Sequence, residues 1–155
     1  MKKNKIVLLI ILVGIATGFI FSNSLKNSEE SNAASGVIVE LVEPILQKIT
    51  NSDIQVSFIV RKGAHLAEFC LLGFLVLAAV GEIKKRVPDI LGFGFFYVLM
   101  VAVTDEFIQS FSDRTSSVKD VLIDFTGAMI GFLAYAFISF CIKKIKQRKQ
   151  TLTDG

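Results

Sequence analysis

The chain has no tryptophan, one histidine, two cysteines and two prolines in 155 residues. Without tryptophan, aromatic anchors at a membrane–water boundary have to come from phenylalanine or tyrosine. Cys70 and Cys141 both fall in apolar runs without ligand-like spacing. They read as buried free thiols rather than as a disulfide or a metal pair. Signatures of familiar chemistry are missing too: there is no Gly-x-Ser-x-Gly elbow and no glycine-rich phosphate loop. No basic surface is interleaved with aromatics, which argues against a nucleic-acid partner.

What the chain has in excess is apolar sequence. Hydrophobic residues make up 52% of it, and the mean hydropathy is +0.61. The excess is gathered into runs at 6–21, 63–81, 90–111 and 118–142, which predict four helical membrane spans. The fold class expected is therefore all-α, a polytopic bundle of four transmembrane helices in the lipid bilayer. The first run is short and is followed by Ser22-Asn23-Ser24, so a cleaved signal peptide competes with a retained helix, the reading favoured here. Its Gly14-x-x-x-Gly18 spacing suits close helix packing.

Between the first two runs, 23–60 is polar and net acidic. Within it Val37, Leu41, Ile45 and Ile49 recur every four residues. That spacing predicts a short amphipathic helix limited or kinked by Pro44, with a solvated loop as the plainer alternative. Val87-Pro88-Asp89 breaks the chain between the second and third runs. Residues 1–22 thus form a first span, 23–60 an extracytoplasmic loop, 61–142 a three-span core, and 143–155 a basic tail.

Charge placement orients the bundle. Lys2, Lys3 and Lys5, then Lys84, Lys85 and Arg86, then Lys143, Lys144, Lys146, Arg148 and Lys149 mark the cytoplasmic side. Both termini are expected inside a plasma membrane, and the segment joining the third and fourth spans outside. Cleavage of the first run would leave the other three oriented alike.

That orientation collects polar groups on the outer side. Arg61, His65 and Glu68 share one helix face in the second span. Asp105 and Glu106 precede Gln109 closely enough to reach it. Asp120, Asp124, Gly127 and Gly131 make one stripe of the fourth span, polar at its outer end and small further in, where Gly127-x-x-x-Gly131 admits a neighbouring backbone. Ser117 is placed to cap this span, with Asp120 as its capping-box partner. A carboxylate left unpaired at mid-membrane costs at least ~2.5–3.5 kcal/mol, less toward the interface.

Singly, each group has a structural reading. His65 can simply bond Glu68, Asp120 can complement the helix dipole, and Arg114 can snorkel toward a carboxylate. Together they exceed what helix ends require and mark a candidate site. His65, Glu68, Asp105, Glu106, Asp120 and Asp124 are the candidate acid–base residues. Arg61, Lys62, Gln109 and Arg114 are the candidate substrate-binding residues, arginine by bidentate contact with phosphate or carboxylate. The same groups suit a divalent cation, the carboxylates favouring Mg²⁺, Ca²⁺ or Mn²⁺. Ser116 and Ser117 are better explained as capping residues than as nucleophiles. Such a set at headgroup depth suits a lipid phosphate or a lipid-linked sugar.

At these residues the sequence resembles the VanZ-like family of small bacterial membrane proteins. The resemblance runs through Arg61-Lys62-x-x-His65-x-x-Glu68-Phe69-x-x-Leu72-Gly73 and Asp105-Glu106-x-x-Gln109-x-Phe111. Arg114 and Asp120-Val121-Leu122-x-Asp124-x-x-Gly127-x-x-x-Gly131 continue it, and Phe21-Ser22 extends it to the first span. The chain departs from the family pattern at Ile108, where a histidine often stands, and at Ser112-Asp113, where Pro-Gly is common. The first departure weakens any mechanism requiring two histidines. The second predicts a differently shaped turn.

The resemblance implies a multi-span envelope protein, the named member being associated with resistance to the glycopeptide teicoplanin. It supplies no reaction. The reading that follows is an outer-leaflet site engaging an anionic lipid-linked or cell-wall precursor. The competing readings are a membrane enzyme using His/carboxylate or metal chemistry, and a structural protein whose polar groups only hold the bundle. A carrier is disfavoured because the inner halves of spans two to four lack ionisable groups.

Overall fold

The structure is a computed structural model that describes residues 2–26, 30, 33, 36, 39, 40, 44, 56–84, 86–112 and 117–153. Four long helices dominate: α1 (Lys2–Ser24), α2 (Val56–Ile83), α3 (Val87–Gln109) and α4 (Val118–Thr153), with no strand among the described residues. Each is long and apolar enough to cross a membrane. The expected all-helical, four-span architecture is present.

The helices outrun the apolar runs that predicted them. α2 begins at Val56, ahead of Arg61, so the charged residues preceding the apolar run ride on the helix itself. α4 is 36 residues long, or ~54 Å at ~1.5 Å per residue, well beyond a ~30 Å hydrocarbon core. Its lysine-rich residues continue the same helix past the apolar run. α3 stops at Gln109, two residues before the end of its run. The expected break at Val87-Pro88-Asp89 is a helix start: Pro88 lies in the first two positions and Asp89 in the first turn, where the proline ring presets φ and the acid complements the dipole. Glu30, Ala33, Gly36, Val39, Glu40 and Pro44 are helical. The stripe Val37, Leu41, Ile45 and Ile49 lies outside the described residues.

α2 is the hub and packs against each of the other three helices. Phe69, Leu72 and Val76 of α2 meet Val98 and Ala102 of α3, Ala128 and Phe132 of α4 and Ile20 of α1 in one core. The α2–α4 seam is the tightest part. A Cβ placed on Gly127 would strike the Leu66 carbonyl, one on Gly131 the Cys70 carbonyl, and one on Gly73 the Ala128 backbone. The expected close approach at Gly127 and Gly131 is therefore met by α2, and Gly73 reciprocates from the other side. Gly14 and Gly18 differ: neither has an atom within 4 Å of an added Cβ, because α1 is apolar around most of its surface and turns that face outward. Exposed Phe96, Leu133, Phe137 and Phe140 continue this apolar shell, as a lipid-facing surface requires.

The bundle has two unlike ends. Lys5 of α1 bonds Glu82 of α2 at 2.5 Å, which fixes those helices antiparallel. That basic end also carries Lys84, Arg86 and the lysine-rich end of α4. At the opposite, polar end, α1 and α3 finish while α2 and α4 begin.

Candidate functional site

The polar end is assembled from the last turns of α1 and α3 and the first turns of α2 and α4. Asp105 of α3 lies at its centre and is fully buried, with Asp124, Glu106, Gln109 and Ser24 buried around it. Gln109 Nε2 donates to Asp105 Oδ2 at 2.7 Å, one helical turn apart. Ser24 Oγ of α1 donates to Asp105 Oδ1. A neighbouring α1 residue ties the second helix, with Asn23 Nδ2 donating to Glu68 Oε1 at 2.8 Å. Ser112, just past α3, donates to the Ser24 carbonyl at 2.9 Å. These bonds seat the end of α1 in the site.

His65 of α2 points at two acids. Its Nδ1 stands 3.7 Å from Asp105 Oδ2 and 3.7 Å from Asp124 Oδ1, both beyond hydrogen-bond reach. One ligand-type atom from each of His65, Asp105 and Asp124 lies within 4.8 Å of the others. Asp124 Oδ2 is buried and accepts no hydrogen bond from a described residue. Leaving such an acceptor without a donor costs on the order of 1–3 kcal/mol, more when it is charged.

Toward the surface, Lys62 of α2 pairs with Asp120 of α4. That pairing changes the expected start of α4. Ser117 caps it as anticipated, its Oγ accepting from Lys119 N–H at 3.2 Å. The reciprocal bond to the Ser117 N–H comes from Glu106 Oε2 at 2.9 Å, not from Asp120. A carboxylate on α3 has taken the capping-box role, so Asp120 is turned to Lys62 and Glu106 is held away from the expected contact with Gln109.

Lys62, His65, Glu106, Gln109, Asp120, Ile123 and Asp124 enclose a narrow cleft with room for about one water-sized guest. Six of these seven are polar, and Asp105 lies buried behind them. Of the candidates, Glu68 faces α1 through Asn23, and Arg61, half-buried on α2, lies off the cleft. Arg114 lies outside the described residues. The sequence reading missed Asn23, Ser24 and Ser112. The signal for the first two was present, since small polar residues closing an apolar run suit buried hydrogen bonds as well as a cleavage site.

The cleft is acid-rich. Asp105, Glu106, Asp120 and Asp124 gather around Lys62 and His65. Between Glu68 and Glu82 on α2, and between Asp124 and Lys143 on α4, the sequence carries no charged side chain. The polar groups form a pocket at one end, not a path through the bundle.

Four membrane-competent helices around one terminal polar pocket define a multi-pass integral membrane protein. Residues 6–139 match the family described as VanZ/LLP1, and the chain belongs to that family. No curated protein and no solved structure matches it.

Proposed function

We propose that the chain is a cell-envelope protein whose polar end opens on the outer face of a bacterial plasma membrane and engages an anionic lipid-linked or cell-wall precursor. Both termini are then cytoplasmic and α1 is retained. The observation that carries this reading is the buried network around Asp105. Burying several carboxylates where a bilayer's headgroups lie is costly, and helix capping accounts for only one of them, Glu106.

The acid-rich cleft refines how a precursor would be held. Its carboxylates accept from hydroxyl or ammonium groups of the headgroup, while Lys62 in the cleft wall meets phosphate, with Arg61 and Arg114 as the further candidate cations. A contribution to teicoplanin resistance belongs to the same reading through the family resemblance. A second reading, a membrane enzyme on a lipid phosphate or lipid-linked sugar, is favoured by one feature: His65 shares the cleft with Glu106 and Asp124, a combination suited to general acid–base work.

Native mass spectrometry of the purified chain tests the binding. A polyprenyl-diphosphate-linked sugar should be retained in preference to phosphatidylglycerol, and Asp124→Asn should remove the preference. Equal retention of both lipids by the unmutated chain would overturn it. If the protein is an enzyme, Glu106→Gln should retain the lipid and abolish its turnover; if it only binds, Arg61→Lys and Arg114→Lys should hurt more than Glu106→Gln. Orientation has its own check in a background with Cys70→Ala and Cys141→Ala. A membrane-impermeant maleimide should label Ser110→Cys in intact cells, and Lys146→Cys only after permeabilisation.

A further inference from the structure

We propose that His65, Asp105 and Asp124 form a site for one divalent transition-metal ion of the Zn²⁺ or Mn²⁺ class. The site stands on its own geometry and does not depend on what the cleft engages. Three helices each supply one donor: a ring nitrogen from α2 and carboxylate oxygens from α3 and α4, all mutually within 4.8 Å. The two His65 separations are 3.7 Å. Ligand atoms of a tetrahedral ion with ~2.0–2.1 Å bonds lie ~3.3 Å apart, so small side-chain movements close the two His65 separations.

The second observation is independent of the clustering. Asp124 lines the cleft, its Oδ1 is the oxygen nearest His65, and its Oδ2 is buried without a donor among the described residues. A protonated His65 paired with both acids is the alternative at the same distances, and it leaves Asp124 Oδ2 without a donor among the described residues. An ion placed among the three would satisfy the Asp124 carboxylate and draw in His65 together.

The surroundings resemble those of built metal sites, where outer groups fix the ligands. Gln109 and Ser24 both donate to Asp105 and so orient its carboxylate. Imidazole with carboxylates favours Zn²⁺ or Mn²⁺ over Mg²⁺ and Ca²⁺, which take oxygen ligands. With three protein donors, coordination left over opens where His65 and Asp124 line the cleft. An ion there would also reverse the local charge, giving an acid-rich pocket an anchor for a phosphate or carboxylate.

The test uses the untagged full chain purified in detergent, stripped with a chelator, then dialysed after loading with Zn²⁺, Mn²⁺, Mg²⁺ or Ca²⁺. The expected result is one Zn²⁺ or Mn²⁺ retained per chain, with a thermal midpoint that rises to saturation at equimolar ion. Asp124→Asn and His65→Gln should each weaken retention at least tenfold, the lower end of what disturbing even an outer ligand partner costs. Co²⁺ loading of the unmutated chain, which needs no variant to fold, should give visible absorption bands of a nitrogen–oxygen site. Absence of a retained ion and of those bands would overturn the proposal, as would unchanged retention in both variants. Retention of only Mg²⁺ or Ca²⁺ would overturn the role given to His65.

Discussion

Gly14-x-x-x-Gly18 and Gly127-x-x-x-Gly131 are the same pattern in two helices of one bundle, and they do opposite things. Around Gly127 and Gly131 the α2 backbone lies so close that a methyl group would collide with the Leu66 and Cys70 carbonyls. Around Gly14 and Gly18 there is open space. The pattern permits close approach without causing it. What distinguishes the second motif is the polar stripe one and two turns before it: Asp120 and Asp124 need partners on α2, and the glycines let α2 come near enough to supply Lys62 and His65. The seam and the site are one construction.

The largest expected effect breaks that construction. Gly131→Leu sets side-chain atoms against backbone, at a cost above the roughly 1–3 kcal/mol of ordinary overpacking, and folded protein should vanish from the membrane fraction. Gly14→Leu, the same change in the other motif, should leave abundance unchanged, as immunoblots of membranes would show. Next comes Ser24→Ala, which removes a buried donor from Asp105. It should lower the unfolding midpoint by the equivalent of about 1–3 kcal/mol, measured on detergent-purified protein. Ser117→Ala removes the α4 cap and should cost less, about 1 kcal/mol, because Glu106 still holds the Ser117 N–H. Smallest is Lys5→Ala at the basic end. Its pair with Glu82 leaves the lysine side chain 61% exposed, and its loss should not move the midpoint measurably.

The fold was legible because a bilayer imposes a simple code. Four apolar runs of spanning length read directly as helices, and most of the site followed from spacing on those helices. His65, Asp105, Glu106, Gln109, Asp120 and Asp124 do meet at one end. Partner choice was not legible. Spacing within α4 made Asp120 the natural capping-box residue, but Glu106 on another helix occupies that position, and only the packing of α3 against α4 decides between them. The part of α1 in the site was hidden for a related reason: Asn23 and Ser24 mark a helix end that finds its acceptors 45 and 81 residues away. The extents of α2 and α4 were missed because hydropathy marks where lipid lies, not where hydrogen-bonded helix stops.

In the proposed function the buried cluster at the polar end does more than hold the bundle together. The direct measurement pairs membrane abundance of His65→Ala, Glu106→Gln, Arg114→Lys and Asp124→Asn with teicoplanin susceptibility in a sensitive host that the unmutated chain protects. Abundance should stay normal while protection is lost. Abundance collapsing in step with protection across the whole set would contradict that reading and leave these residues as structural partners only.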